Sequence, residues 1–200
     1  MTEIEGYQKV LDGARQILAG YKPKLEVNPD WPLVELGDVC RLYQPKTITS
    51  QDLVADGPYI VFGANGVIGR YTEFNHEQPE VLMTCRGATC GTINMSSEKC
   101  WITGNAMVAT PMDARIEKRF LFYVLQVSDL SETISGSAQP QITRQSLSPF
   151  EIPLPPLTEQ RRLVAELDAE AAQMDSVRSL LPRFEAKIQR LLARVWGNGV

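Results

Sequence analysis

The stretch PFEIPLPPLTEQRRLVAELD, residues 149–168, decides the fold, because a proline-rich extended segment changes there into a long helix. Proline lacks a backbone N–H and cannot continue a helix, so the helix is expected to start after Pro156. Thr158 is predicted to be the N-cap, and Glu159 lies in the first turn, where the helix dipole favours an acidic side chain. The sequence predicts a helix over Thr158–Trp196, on the order of 58 Å long.

Apolar side chains recur along one face of this predicted helix at spacings of three and four residues, which is typical of a coiled-coil seam. The seam positions are Val164, Leu167, Ala171, Met174, Val177, Leu181, Phe184, Ile188, Leu191 and Val195. A shorter helix is predicted over residues 3–19, with Gly20 placed to end it. Because this first helix can cover only about half of the longer one, the seam is expected to need another helix.

The segment between the two helices contains short β-rich runs separated by glycine, asparagine and proline. The runs are residues 59–63, 81–85, 91–95 and 106–110, and a helical stretch lies near 117–127. We predict an α+β fold: a small mixed or antiparallel β-rich domain with a long C-terminal helix of coiled-coil type and a short N-terminal helix. The predicted boundaries are 1–30 for the N-terminal helix and linker, 31–156 for the β-rich domain and 157–200 for the long helix.

The composition argues against several classes of protein. No apolar run approaches the roughly 18 residues of a membrane span, and the polar N-terminus has no secretory pattern. The four cysteines match no metal-binding or redox spacing, which favours reduced thiols and a cytoplasmic location. The net charge is −4, and residues 41–145 hold nine basic and ten acidic side chains, so composition alone does not indicate nucleic-acid binding.

The sequence contains no recognisable catalytic, cofactor or metal site. Phosphate-cradling glycine loops are absent, and no nucleophile has an evident base nearby. The single histidine, His76, lies in the polar stretch TEFNHEQPE and is predicted to be a solvated loop residue. We therefore expect a chain without catalysis, without a bound cofactor and without a metal.

A set of motifs in this order resembles the specificity subunits of type I restriction–modification systems. The motifs are WPLVELGDVC (31–40), NGVIGRY (65–71), VLMTCRGATCG (81–91), GNAMVAT (104–110), FLFYVL (120–125), SGSAQPQIT (135–143) and PFEIPLPPLTEQRRLVAELD (149–168). The most specific is the Leu-Pro-Pro-Leu-x-Glu-Gln turn that opens the long helix, and the resemblance covers residues 31–196.

This resemblance implies a division of labour. The β-rich domain would be a target recognition domain that reads one half of a split site in double-stranded DNA, and the long helix would be a spacer. Methyltransferase and restriction subunits would be the partners, with S-adenosylmethionine bound by the methyltransferase and not by this chain.

Members of this family normally carry two recognition domains and two antiparallel spacer helices, whereas this chain has one domain and one full spacer. We therefore expect a two-fold symmetric, antiparallel homodimer through the seam. Its interface would contain Val164, Leu167, Met174, Leu181, Phe184, Ile188, Leu191 and Val195. Whether the chain is a natural half-subunit, or a piece of a longer specificity subunit or of a methyltransferase–specificity fusion, stays open. The alternatives from other classes are a free-standing enzyme and a coiled-coil scaffold protein.

A few polar side chains are candidates for contacts with DNA. Arg86 can donate two hydrogen bonds to guanine, and Gln139 and Gln141 can each bridge N6 and N7 of adenine. The alternative for Arg86 is a structural ion pair, and for the glutamines a solvated loop. The other candidates are Asn65, Arg70 and Tyr71 around a glycine-rich turn, and Lys46 and Arg144 as contacts to phosphate.

Overall fold

The computed structural model describes residues 3–63, 65–136 and 139–195, which form two compact units. The main unit is Leu25–Val164, and the helical unit combines the described parts of residues 1–24 and 165–200. None of the described helices combines the length and the apolar character that a membrane span requires.

The predicted α+β fold is confirmed. The helices are α1 (Glu3–Gly20), α2 (Leu36–Val39), α3 (Lys118–Val127), α4 (Arg144–Leu147) and α5 (Leu157–Val195). The strands are β1 (Leu33–Glu35), β2 (Cys40–Tyr43), β3 (Tyr59–Gly63), β4 (Gly66–Tyr71), β5 (Val81–Thr84), β6 (Ile93–Met95), β7 (Trp101–Ile102), β8 (Ala106–Pro111), β9 (Ile134–Ser135), β10 (Gln141–Ile142) and β11 (Glu151–Pro153). Each of the four predicted β-rich runs contains a strand, and the predicted end of the long helix, Trp196, lies outside the described residues.

The strands of the main unit form small sheets of two to four strands. The largest is antiparallel, with the order β2-β8-β5-β6. In a three-stranded sheet of order β4-β3-β7, β3 pairs antiparallel with β4 and parallel with β7. Two further antiparallel pairs are β1 with β11 and β9 with β10.

The four-stranded sheet is buried on both faces, which explains the continuous apolar runs Val81–Met83 in β5 and Ala106–Ala109 in β8. Side chains alternate across a strand. Val81 and Met83 join one cluster with helix α3, and Leu82 joins a second cluster with Phe62 and Ile102 of the three-stranded sheet. The main unit therefore has three layers: α3, the four-stranded sheet and the three-stranded sheet.

Helix α3 follows the predicted periodicity, with Phe120, Leu121, Val124 and Leu125 all buried against the sheet. Full burial of a large apolar side chain contributes about 1.5–3 kcal/mol. These four positions are therefore among the main sources of stability in the main unit.

The start of α5 differs from the prediction, because the helix begins at Leu157 and Thr158 is not its N-cap. The carbonyl of Pro156 accepts hydrogen bonds from the backbone N–H of Glu159 and of Gln160, at 2.9 and 3.0 Å. The fully buried Gln160 accepts a hydrogen bond from the backbone N–H of Glu117 at 2.8 Å and donates to the carbonyls of Arg115 and Pro155, both at 2.8 Å. This side chain ties the first turn of α5 to the segment that leads into α3.

In the helical unit, α1 runs antiparallel along residues 170–188 of α5. The ring centroids of Tyr7 and Phe184 are 5.7 Å apart, and the hydroxyl of Tyr21 donates to Glu170 at 3.2 Å. Leu11 of α1 and Leu167 and Ile188 of α5 are each buried. The remaining seam positions with described side chains are half-buried, and the side chain of Val195 lies outside the described part of the chain. The predicted periodicity is confirmed, and α1 occupies part of the seam.

Candidate nucleic-acid interface

The structure brings together two of the predicted base-reading residues, Arg86 and Gln141, which are far apart in sequence. They face each other in an isolated antiparallel bridge. The backbone N–H of Gly87 donates to the carbonyl of Pro140, and that of Ile142 donates to the carbonyl of Cys85, both at 3.0 Å. Both side chains are exposed, and paired residues of antiparallel strands project to the same side. Arg86 and Gln141 therefore form one exposed pair.

On the side away from Arg86, Gln141 belongs to a short hairpin of β9 and β10. Gln141 pairs with Ser135 across β9 and β10, so that Ser135, Gln141 and Arg86 form an exposed row across three neighbouring segments. Directly after β9, Gly136 has a φ of 85°, and a Cβ there would lie 2.6 Å from the carbonyl oxygen of Gln139. Gln139 itself is exposed in this loop.

The loops that follow β2, β3, β5 and β7 gather at the same end of the sheets. Tyr43 at the end of β2 pairs with Val108 near the start of β8, and Thr84 at the end of β5 pairs with Ala106. The parallel pairing of β3 with β7 brings the turn at Asn65 to this end as well. We call residues 44–47, 65, 85–91, 104–105 and 139–141 the loop end.

A buried thiol and an amide side chain hold the loop end together. Gln44 Nε2 donates to Gly104 O and to Cys85 Sγ, both at 3.0 Å, and Cys85 Sγ donates to Asn105 O at 3.0 Å. Burial raises the pKa of Cys85, although hydrogen bonding by Gln44 and the charge of Arg86 oppose the shift. Cys85 is therefore a neutral structural thiol, and Gln44 is a positioning residue that the sequence motifs did not single out.

Lys46 and Arg144 are both exposed, but only Lys46 belongs to the loop end. Asp52 lies near Lys46: hydrogen bonds from Thr49 lower the pKa of its carboxyl, and the positive charge of Lys46 contributes least to this shift. Arg144 begins α4 directly after β10, where Thr143 Oγ1 caps the helix by accepting from Ser146 N at 3.1 Å. No described residue accepts a hydrogen bond from the guanidinium of Arg86 or of Arg144, so both cations are available for an external anion or base.

Arg70 and Tyr71 lie apart from the loop end, at the opposite end of the β3–β4 hairpin. The guanidinium of Arg70 donates to the carbonyls of Gly57 and Pro58, the latter at 3.0 Å. The ring of Tyr71 packs edge-on against Trp101 with centroids 5.1 Å apart. These contacts favour a structural role for both side chains, so of the three candidates around the glycine-rich turn only Asn65 shares the end with Arg86.

His76 is half-buried and bonded, which makes the predicted solvated loop histidine wrong. Asn75 Oδ1 accepts from Ile102 N at 2.8 Å and Asn75 Nδ2 donates to Ile102 O at 2.9 Å, which fixes the amide orientation. His76 Nδ1, 2.6 Å from Asn75 Oδ1, must therefore donate, and Nε2 accepts from the Tyr43 hydroxyl at 2.8 Å. Desolvation lowers the pKa of His76; Glu80 opposes this shift and Lys118 adds to it.

The described residues include no group of three or more His, Cys, Asp or Glu side chains arranged to hold a metal ion. The four cysteines are free thiols, and burial raises the pKa of Cys40 to about 12. A thiol with so high a pKa is a poor nucleophile at neutral pH, because the thiolate is the reactive form.

The family model for the type I restriction modification DNA specificity domain matches residues 28–177, which is three quarters of the chain. The chain belongs to this family. The predicted resemblance to type I specificity subunits is thus confirmed for this domain.

Two curated proteins show the same similarity. The specificity subunit of the type I restriction enzyme EcoprrI from Escherichia coli is 26% identical over 137 residues, covering 66% of this chain and 34% of that protein. The MjaVIII specificity subunit from Methanocaldococcus jannaschii is 24% identical over 152 residues, covering 70% and 35%. The chain thus spans about a third of the length of these relatives.

Solved structures of specificity subunits share the fold. The type I restriction–modification S subunit from M. genitalium aligns with a TM-score of 0.67 at 19% identity, covering 88% of this chain and 47% of that one. The HsdS subunit from Thermoanaerobacter tengcongensis aligns with a TM-score of 0.58 at 27% identity, covering 94% and 49%. This DNA specificity domain therefore corresponds to about half of each of these solved chains.

Proposed function

We propose that this chain reads one half of a split site in double-stranded DNA, and that it directs methyltransferase and restriction subunits to that site in the cytoplasm. The observation that carries the proposal is the exposed pair of Arg86 and Gln141 at the loop end of a DNA specificity domain. Arg86 has donors for guanine, and Gln141 has the donor and the acceptor that match adenine. Gln139 lies in the adjoining hairpin loop and extends the same reading surface.

The negative net charge of the chain is consistent with DNA recognition in which partner subunits make part of the contacts. The chain carries 20 basic and 24 acidic side chains, a net charge of −4, and Lys46 and Arg144 are the proposed phosphate contacts. Phosphate contacts supply most of the affinity that is independent of sequence. We therefore assign base reading to this chain and most of the backbone contacts to the methyltransferase subunits.

Alanine substitution separates base reading from backbone contact. Arg86→Ala, Gln139→Ala and Gln141→Ala are each expected to weaken binding to the cognate half-site by about 1–3 kcal/mol, because a bidentate base contact has that value. Binding to random DNA is expected to change much less. The measurement is a fluorescence anisotropy titration on both duplexes, with the exposed Gln145→Ala as a control. Equal losses on both duplexes for all three variants, or no loss for any, would overturn the proposed reading surface.

The proposal also assigns no chemistry to the chain itself. The purified chain is expected neither to bind S-adenosylmethionine nor to methylate or cut DNA. Labelled cofactor and a DNA substrate test this directly, and turnover that disappears with a point substitution in this chain would contradict it.

An antiparallel homodimer is the proposed assembly in isolation, and it would present two recognition domains to a palindromic split site. The apolar face of α1 that points away from the α5 seam supports it: Val10 and Ile17, seven residues apart, are 49% and 54% exposed. Leu180 on α5 is 39% exposed. Because α1 occupies part of the seam, we place the contact between copies on these outer positions together with the half-buried Met174 and Leu181.

A further inference from the structure

The geometry of the Arg86–Gln141 bridge limits how far apart two bases contacted by these side chains can lie. The hydrogen bonds of the bridge are made by the flanking residues, Gly87 with Pro140 and Ile142 with Cys85, so Arg86 and Gln141 are a non-hydrogen-bonded pair. In such a pair the Cα atoms are about 4.5 Å apart and the side chains project together.

The bridge is fixed in register. Ile142, next to Gln141, is buried with Cys85 in the cluster that includes helix α3, and Cys85 is held by Gln44 and by the carbonyl of Asn105. A slip by one residue would turn Ile142 outward and Gln141 inward, because side chains alternate along a strand. The spacing of the pair is therefore a built feature of the fold.

Neighbouring base pairs in DNA are separated by a matching distance. The rise is about 3.4 Å per base pair, and the helical turn adds a sideways step, so adjacent base edges in the major groove lie on the order of 4–5 Å apart. Bases two steps apart are separated by roughly twice that distance. A two-stranded β-ribbon fits into the major groove.

We infer that Arg86 and Gln141 read two adjacent base pairs as one unit, with Arg86 on a guanine and Gln141 on the adenine of the neighbouring pair. The assignment of bases follows from chemistry: the guanidinium donates to O6 and N7 of guanine, and the carboxamide matches N6 and N7 of adenine. This inference rests on the proposed function, and it adds that the half-site contains a G·C pair directly beside an A·T pair.

The test uses the full 200-residue chain to select bound duplexes from a random DNA library, which are then sequenced. The wild type is compared with Arg86→Ala and Gln141→Ala. The wild type is expected to enrich a motif with neighbouring G·C and A·T positions. Arg86→Ala is expected to lose preference at the guanine alone, and Gln141→Ala at the adenine alone. Gln145→Ala and Arg161→Ala, both at exposed positions outside the bridge, serve as matched controls and should keep the motif.

Base analogues then test each contact. Replacing the guanine with 7-deazaguanine is expected to weaken wild-type binding roughly 5- to 150-fold and to leave Arg86→Ala unchanged, because the N7 acceptor has already lost its donor in that variant. The same coupling is expected between 7-deazaadenine and Gln141→Ala.

The outcomes distinguish this inference from the proposed function. A wild-type motif that lacks the G·C–A·T step, or variants that lose positions separated by one or more base pairs, would overturn the inference and leave sequence reading intact. A uniform loss at every position for Arg86→Ala would assign that side chain to phosphate and also overturn it. Enrichment of no motif at all by the wild type would overturn the proposed function.

Discussion

At the scale of single residues, polar side chains hold together segments of the main unit that have no regular sequence pattern. Gln160 satisfies one backbone N–H and two carbonyls between α5 and the segment before α3, and Gln44 joins three loops at the loop end. An unsatisfied buried polar group costs about 1–3 kcal/mol. Contacts of this kind could not be predicted, because all but one of these partners lie 41 to 60 residues away in sequence.

The lowered pKa of His76 is expected to make the stability of the chain depend on pH. Its pKa in the folded chain is below the ordinary value near about 6.5, so the unfolded chain takes up a proton first as the pH falls. The free energy of unfolding is therefore expected to decrease as the pH falls through about 6.5, and to level off below the pKa of the folded state. Urea unfolding of wild type and His76→Gln at pH 7.5 and 5.5 measures this.

This chain has a single histidine, so no other imidazole contributes to the difference between the wild type and His76→Gln. Acidic groups titrate in both proteins, and the difference between the two pH dependences isolates His76. The wild type should lose more stability than His76→Gln on acidification. Equal losses in the two proteins would refute the assignment of a neutral, bonded imidazole.

At the scale of elements, the apolar pattern of the sequence predicted the long helices and the strands with continuous apolar runs. It did not predict the short strands. Helices α1, α3 and α5 follow apolar spacing, and β5 and β8 each contain a continuous apolar run. Strands β1 and β11 have three residues each and pair across more than a hundred residues, so no local signal marks them. The same reason applies to the site: the residue types of Arg86 and Gln141 suggested base contacts, but only the fold pairs them.

The β9–β10 hairpin is an element whose shape is predicted to control DNA reading. Gly136→Ala places a Cβ 2.6 Å from the carbonyl oxygen of Gln139 at a φ of 85°, so the loop must change shape. We expect a loss of about 1–2 kcal/mol of stability from the left-handed backbone, and weaker binding to the cognate half-site. Gly66→Ala is the control, since Gly66 has a φ of 104° but its Cβ would contact nothing within 4 Å. If Gly66→Ala impairs cognate binding as much as Gly136→Ala does, the hairpin does not shape the reading surface.

At the scale of the whole molecule, the proposed homodimer predicts a concentration-dependent mass. Val10→Glu with Ile17→Glu is expected to give monomers with a folded main unit, because each glutamate would have to be buried between copies. Gln16→Glu with Gln173→Glu adds the same charge at exposed positions and should leave the dimer intact. Substitution of Ile188 is a poor test, because its side chain is buried in the helical unit together with Leu11. Light scattering that shows wild-type monomer at micromolar concentration would contradict the dimer.

If the loop end reads DNA sequence, the chain binds its own half-site more tightly than other duplexes, and a ratio of two dissociation constants measures this discrimination. The wild-type chain is titrated at a fixed salt concentration near 0.15 M against its enriched half-site and against a duplex of the same composition in scrambled order. Each mismatched base pair costs about 1–3 kcal/mol, so several mismatches predict a ratio of at least about a hundredfold. The ratio should fall by about 5- to 150-fold in Arg86→Ala. Equal affinity of the wild type for both duplexes would show that the loop end does not read DNA sequence.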